Sequence, residues 1–350
     1  MSTTALASTT LSDQYDISPK ANTTAATQPK DNGHVFLPVF GKPGAWFWIL
    51  HFGGLSSLFI SICFSFYLVV YLGVIGKRQN RPFWTWKLPE RLVIYLALCD
   101  LLWSISHSID HYFMIILYDH PADLECSILG FLLNTFMLMQ ALVVLFTAIS
   151  AFVLVVRNEK IQLGRFDWKL LTLSIGIPTA FSVVLVYFDL LGPSGAWCWI
   201  DGRSPLYGLV MSIISAFSIF TFLFNVGCYA AVVFTVWRVT KNLADFNSDE
   251  AAKKNQGIKT AKTLVIFVIA YFGQWWAYVF YSLWAFAQLP PEWLAFLVVI
   301  FSNMGGVFNF FAYRKFRKSL VEGSNKPGAN SAPGSSTSTR GSTVTVSTIS

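Results

Sequence analysis

The chain has 350 residues, of which 54% are hydrophobic and only 12% charged, about half the charged share of an average soluble domain. The apolar residues come in blocks with the charges swept between them, which excludes a string of water-soluble domains and leaves a polytopic membrane protein. The net charge of +7 does not point to nucleic acid, because Lys and Arg between membrane spans ordinarily mark one side of the bilayer.

Residues 1–45 are rich in Thr, Ser and Ala with scattered Pro and Gly, and they lack the apolar core of a signal peptide. This stretch is predicted to be a disordered N-terminus. Within it, Asn22-Thr23-Thr24 is a glycosylation acceptor if this end is extracellular.

Seven apolar segments follow, each long enough for the roughly 20 helical residues that cross a bilayer. They run Trp46–Ile75, Leu88–Tyr118, Cys126–Val156, Trp168–Leu191, Leu206–Trp237, Thr260–Ala287 and Glu292–Ala312. The predicted fold is therefore an all-α membrane protein, a seven-transmembrane helix bundle over 46–312. With the N-terminus outside and the C-terminus inside, only Lys20, Lys30, Lys42 and Arg203 of the 25 basic residues stay on the outer side. The positive-inside rule selects that orientation.

In this topology Cys126, at the outer start of the third span, and Cys198, in Gly195-Ala196-Trp197-Cys198-Trp199-Ile200-Asp201, both face an oxidising compartment. A Cys126–Cys198 disulfide is expected there. Cys63, Cys99 and Cys228 fall inside spans as small apolar fillers.

The third inner loop, about 238–259, leads into a basic segment with Lys253, Lys254, Lys259 and Lys262 on one helical face. It either holds the helix at the headgroups or offers a docking surface. Residues 313–322 place Tyr313, Phe316 and Leu320 among cations, as a short amphipathic helix lying along the inner leaflet would. Residues 323–350 read as a disordered cytoplasmic tail whose hydroxyls are open to phosphorylation.

Ionisable residues inside a span tend to face a bundle interior or a wet cavity. Asp100, Ser104, His107 and His111 recur at steps of four, three and four, so they form one stripe on the second span, with Asp110 beside His107. His107, Asp110 and His111 lie toward the outside, where they either line a ligand pocket or form a polar cap at the helix exit. Asn134, Gln140, Asn225 and Gln274 are inward candidates that commonly bridge helices. Asn134 and Gln274 are also candidate pocket residues, with Trp199, Arg203 and Trp275. Trp275, Trp276, Tyr278 and Tyr281 give the sixth span an aromatic wall.

Seven spans, a third-span cysteine pairable with the second outer loop and a short helix after the last span resemble a G-protein-coupled receptor. The Trp-Cys-Trp-Ile-Asp run at 197–201 resembles the second outer loop of the cAMP-receptor-like family of slime moulds and its animal and fungal relatives. Leu96-Ala97-Leu98-Cys99-Asp100-Leu101-Leu102 is similar to the Leu-Ala-x-x-Asp run of such receptors. The chain departs from the rhodopsin-like class where the third span ends Val156-Arg157-Asn158, and where Asn309-Phe310-Phe311-Ala312-Tyr313 lacks the helix-kinking proline.

The resemblance implies a plasma-membrane receptor that transduces an extracellular signal to a heterotrimeric G protein. It gives Asp100 the part of an interior polar node that rearranges on activation, grouped with Asn303 and Asn309; the bland alternative is a structural hydrogen bond to one of those asparagines. Arg157, Lys259, Lys262, Arg314 and Lys315 are the candidate G-protein contacts, and receptor kinases or arrestin-like proteins are candidate partners of the tail. The family name suggests cAMP as ligand. Only Arg203 near the outer mouth could pair its phosphate, and Asp119, Asp123, Glu125, Asp189, Asp201 and Glu292 make an acidic rim, so cAMP is not expected. The competing reading is a seven-helix transporter or channel using the second-span stripe. No internal repeat supports it. No Lys in the seventh span could carry retinal, and no metal cluster, cofactor motif or nucleophile motif suggests an enzyme.

Overall fold

A computed structural model describes residues 39–80, 82–86, 88–157, 159, 161–241, 248–287 and 290–324. Asn22, the tail beyond 324 and most of the N-terminal stretch lie outside the described residues, as do the side chains of Lys259 and Lys262.

Among the described residues the apolar runs form eight helices: α1 Ala45–Arg78, α2 Leu88–Leu117, α3 Asp123–Phe152, α4 Trp168–Tyr187, α5 Tyr207–Lys241, α6 Ser248–Ala285, α7 Glu292–Ser302 and α8 Gly305–Ser324. Six are long and apolar enough alone to cross a membrane, and α7 with the first part of α8 makes a seventh, bent span. Half or more of the most apolar stretch is buried in α2, α3 and α6, against 28% in α1, α4 and α5. The first three are therefore the central helices, and the others turn large apolar side chains such as Phe59, Tyr187 and Phe234 outward, as a lipid-facing surface requires.

Several expected boundaries shift for local reasons. The fourth span stops at Tyr187 rather than Leu191, where Asp189 takes φ 52 and Leu191 joins a strand. The third helix ends in a π turn, Val153–Arg157. α6 begins twelve residues before Thr260, at Ser248, and extends the basic segment as helix. Residues 313–322 are helical as expected, but they continue α8 rather than standing apart from the last span.

The expected uninterrupted seventh span is broken. α7 and α8 meet at 48° across Asn303-Met304 although no proline is present. The cause is the Gly305-Gly306 pair, a common source of sharp helix bends. A Cβ on Gly305 would overlap the Asp100 carboxylate and the Gln274 amide, and one on Gly306 would overlap Ser61 and Ser65. With hydrogen there instead, the α8 backbone reaches α1, and Gly306 N–H donates to Ser61 Oγ at 3.0 Å.

Two devices close the ends of the bundle. At one end, β1 Leu191–Pro193 and β2 Cys198–Ile200 form an antiparallel hairpin with Leu191 opposite Ile200. Gly195, at φ 96, supplies the left-handed residue of its turn. Gly130 lets α3 approach closely, since a Cβ there would strike the Trp199 backbone. The Cys126–Cys198 disulfide joins hairpin to α3 with the Cα atoms 5.0 Å apart.

At the opposite, basic end, Arg91 of α2 grips Asp167, the residue before α4, through two bonds of 2.6 and 2.8 Å. Tyr95 Oη donates to the same carboxylate at 3.0 Å. Phe166 and Asp167 both take left-handed backbone conformations, φ 62 and 55. This clasp therefore pins a turn that L side chains rarely adopt.

Candidate functional site

Beneath the hairpin lies a small cavity. Its aromatic walls are Trp103 and His107 from α2, Trp197 and Trp199 from the hairpin, and Trp275 and Tyr278 from α6. Aliphatic side chains of α3 and α7 complete it, with Ser302 at the α7 end. A second, still smaller space between α3, α5 and α6 shares Met137, Trp275 and Tyr278 with it. The lining holds no Lys, Arg, Asp or Glu.

The α2 stripe supplies the polar groups around this cavity, and each enters a different contact. His107 places Nδ1 2.9 Å from Asn303 Oδ1, which also accepts the Trp103 indole N–H at 3.2 Å. The His107 ring stacks on His111 at 4.5 Å between centroids. His111 in turn meets His51 of α1, Nδ1 to Nδ1, at 2.8 Å, so one of those nitrogens carries the proton and the other accepts it. Gly54 makes room for His111, because a Cβ there would strike the imidazole Nε2. Asp110 faces the hairpin instead, where both oxygens accept the Cys198 N–H at 3.1 and 3.3 Å.

The expected site residues therefore separate. His107, Trp199 and Trp275 line the cavity. Asn134 lies behind Trp199: its Oδ1 accepts the Trp199 indole N–H at 3.2 Å and its Nδ2 donates to Ser182 at 2.8 Å. Gln274 Nε2 donates to the Ser302 carbonyl at 2.8 Å. Arg203 stays out of the cavity, bound to Asp201 at 2.8 Å and Asp123 at 2.9 Å. The Asp201 carboxylate, and less so Asp123, push its guanidinium pKa up against the opposing effect of burial.

Deeper in the bundle, Asp100 accepts hydrogen bonds from Gln140 and, at 2.5 Å, from Asn309. Gln140 Oε1 accepts the Trp275 indole N–H at 3.0 Å. A hydrogen-bonded chain thus runs from the cavity wall through Gln140 to Asp100 and Asn309. Asn303 is not part of it; it sits at the helix break with His107 and Trp103. At the basic end Arg157 closes the π turn, and Arg314 and Lys315 are exposed on α8.

Four contributors escaped the sequence reading. His51 was legible as an imidazole within an apolar run, a costly placement that asks for a partner. Trp103 and Trp197 carried no signal that separates a cavity wall from packing. The Arg91–Asp167 clasp joins residues 76 positions apart, and no local pattern pairs them.

No family model matches the chain, and neither does any curated protein. Among solved structures, squid rhodopsin matches with a TM-score of 0.60 and 16% sequence identity, over 79% of this chain and 84% of that one. At that identity the likeness establishes the fold. The chain has a rhodopsin-like bundle and is a multi-pass membrane protein.

Proposed function

We propose that the chain is a G-protein-coupled receptor of the plasma membrane, of the cAMP-receptor-like type that the 197–201 run resembles. Its ligand enters the cavity beneath the hairpin from outside, and its basic end meets a heterotrimeric G protein. The observation that carries this reading is the linkage of the cavity wall to the bundle interior. Trp275 reaches Asp100 and Asn309 through Gln140, and His107 and Trp103 both hold Asn303 at the break between α7 and α8. A ligand that favours one packing of Trp275 and Asn303 over another shifts the bundle by its difference in affinity for the two.

The distribution of Lys and Arg supports an outer hairpin and an inner basic end. On that orientation Asn22 is an extracellular glycosylation acceptor, and residues 313–322 extend α8 beyond the seventh span on the inner side. Arg157, Lys259, Lys262, Arg314 and Lys315 face the G protein, while the Ser/Thr-rich tail is the substrate of receptor kinases and the ligand of arrestin-like proteins. A transporter is not favoured, because Asp100, His107 and Asp110 are each engaged in protein hydrogen bonds.

The test is second-messenger output from cells expressing the protein, across a ligand panel. The doubly substituted Lys259→Glu, Lys262→Glu chain is expected to reach the surface and lose most of the response. Undiminished signalling would remove those lysines from the interface. Substrate-driven current in liposomes without any G protein would replace the receptor reading with transport.

A further inference from the structure

The hydrogen-bond pattern around Asn303 fixes what the cavity asks of a ligand. An indole nitrogen only donates, so the Asn303 atom facing Trp103 Nε1 at 3.2 Å is the amide oxygen. A flipped amide would set two N–H groups against each other. The same oxygen lies 2.9 Å from His107 Nδ1, so Nδ1 also donates and carries the ring proton. No carboxylate lines the cavity to hold an imidazolium, and in the neutral ring the second nitrogen, Nε2, is a bare acceptor. His107 is 3% exposed, and Nε2 meets no hydrogen-bond partner. The cavity that His107 lines is otherwise walled by indoles, a phenol ring, aliphatic side chains and Ser302. Buried polar atoms of this kind are nearly always satisfied, by protein, water or ligand.

We propose that the cavity selects a neutral, flat, apolar molecule bearing one hydroxyl or N–H donor, which it gives to His107 Nε2. The inference rests on the reading of this cavity as the ligand site. An anion finds no cationic partner, because Arg203 is spent on Asp201 and Asp123, and the lone pair on Nε2 repels a second acceptor. A cyclic nucleotide phosphate therefore has no charge to pair with here. Recognition through His107 also explains how occupancy reaches the helix break, since the same ring holds Asn303.

The experiment uses the full-length protein in phosphatidylcholine nanodiscs and three probes of nearly one shape, 2-naphthol, 2-methoxynaphthalene and 2-naphthoate. Their fluorescence is titrated against intact protein and a heat-denatured blank. Saturable binding of 2-naphthol is expected, with the methyl ether about tenfold weaker or worse because it leaves the acceptor unmet, and no saturable binding of naphthoate. In His107→Phe, which keeps a ring but no acceptor, the naphthol and its ether should bind alike. Equal binding of ether and naphthol to the unsubstituted protein overturns the proposal, as does preferred naphthoate or no saturable naphthol binding. Discrimination that survives His107→Phe moves donor recognition to another group. If the probes fail while an extracellular compound still drives G-protein nucleotide exchange, the ligand class falls and the receptor reading stands.

Discussion

The clusters around Asp100 and around His107 treat buried polar groups in opposite ways. Around Asp100 the donors and acceptors saturate one another: Gln140 and Asn309 donate to the carboxylate, and Trp275 donates to Gln140. Around His107 they do not. His51, His107 and His111 each leave Nε2 without a hydrogen bond, and Asn303 leaves Nδ2 so. A saturated buried network rigidifies, whereas a buried group without a partner is expensive and invites one. On the receptor reading proposed above, the Asp100 cluster would transmit a packing change and the His107 cluster would receive a ligand.

The strongest way to break that contrast is to release the hairpin. Cys126→Ser opens a cross-link spanning 72 residues, and loss of such a bridge typically costs about 2–5 kcal/mol. Thermal denaturation in nanodiscs is expected to show a marked drop in Tm, with 2-naphthol binding lost first. A retained Tm and retained binding would show the cap to be dispensable. Next in size is Asp167→Ala, which strips Arg91 and Tyr95 of their shared acceptor. Loss of hydrogen bonds to a charged group predicts a destabilisation of about 3 kcal/mol, with naphthol affinity unchanged in whatever folds. Altered affinity would mean that the two ends of the bundle are not separable.

Gly305→Ala drives a methyl group into Asp100 and Gln274. Overpacking of this kind costs about 1–3 kcal/mol, and here it should impair agonist-driven nucleotide exchange more than ligand binding. Trp275→Phe keeps the wall but removes the donor to Gln140, a change of about 1 kcal/mol. It is expected to lower maximal signalling with little shift in probe affinity. The smallest effect concerns His120, outside the spans, whose pKa burial holds below its ordinary 6.5 despite the neighbouring Asp119. The unfolded chain then binds the extra proton first, so stability declines as pH falls below 6.5 and levels off once the folded form is protonated too. In Tm measured against pH, His120→Gln should flatten that decline.

Much of the bundle could be read from the sequence, because apolar length and the placement of Lys and Arg are local properties. The disulfide was legible for the same reason: once the spans are counted, Cys126 and Cys198 share a side. The break at Asn303 was not. Attention to proline misses it, and Gly305-Gly306 acquires meaning only when Ser61 and Asp100 are known to lie opposite. The α2 stripe marked the right helix face, yet periodicity could not tell that His107 meets the cavity while Asp110 turns to the Cys198 amide and His111 to His51. Those assignments depend on which neighbour each side chain finds.

Cys198 is anchored twice, by its sulfur to α3 and by its backbone N–H to the Asp110 carboxylate. One anchor yields to thiol reductants and the other ignores them. Mild reduction should accordingly lower Tm and weaken probe binding as Cys126→Ser does, while Asp110 still holds the Cys198 strand. The hairpin therefore keeps one hold on the bundle when the other is cut.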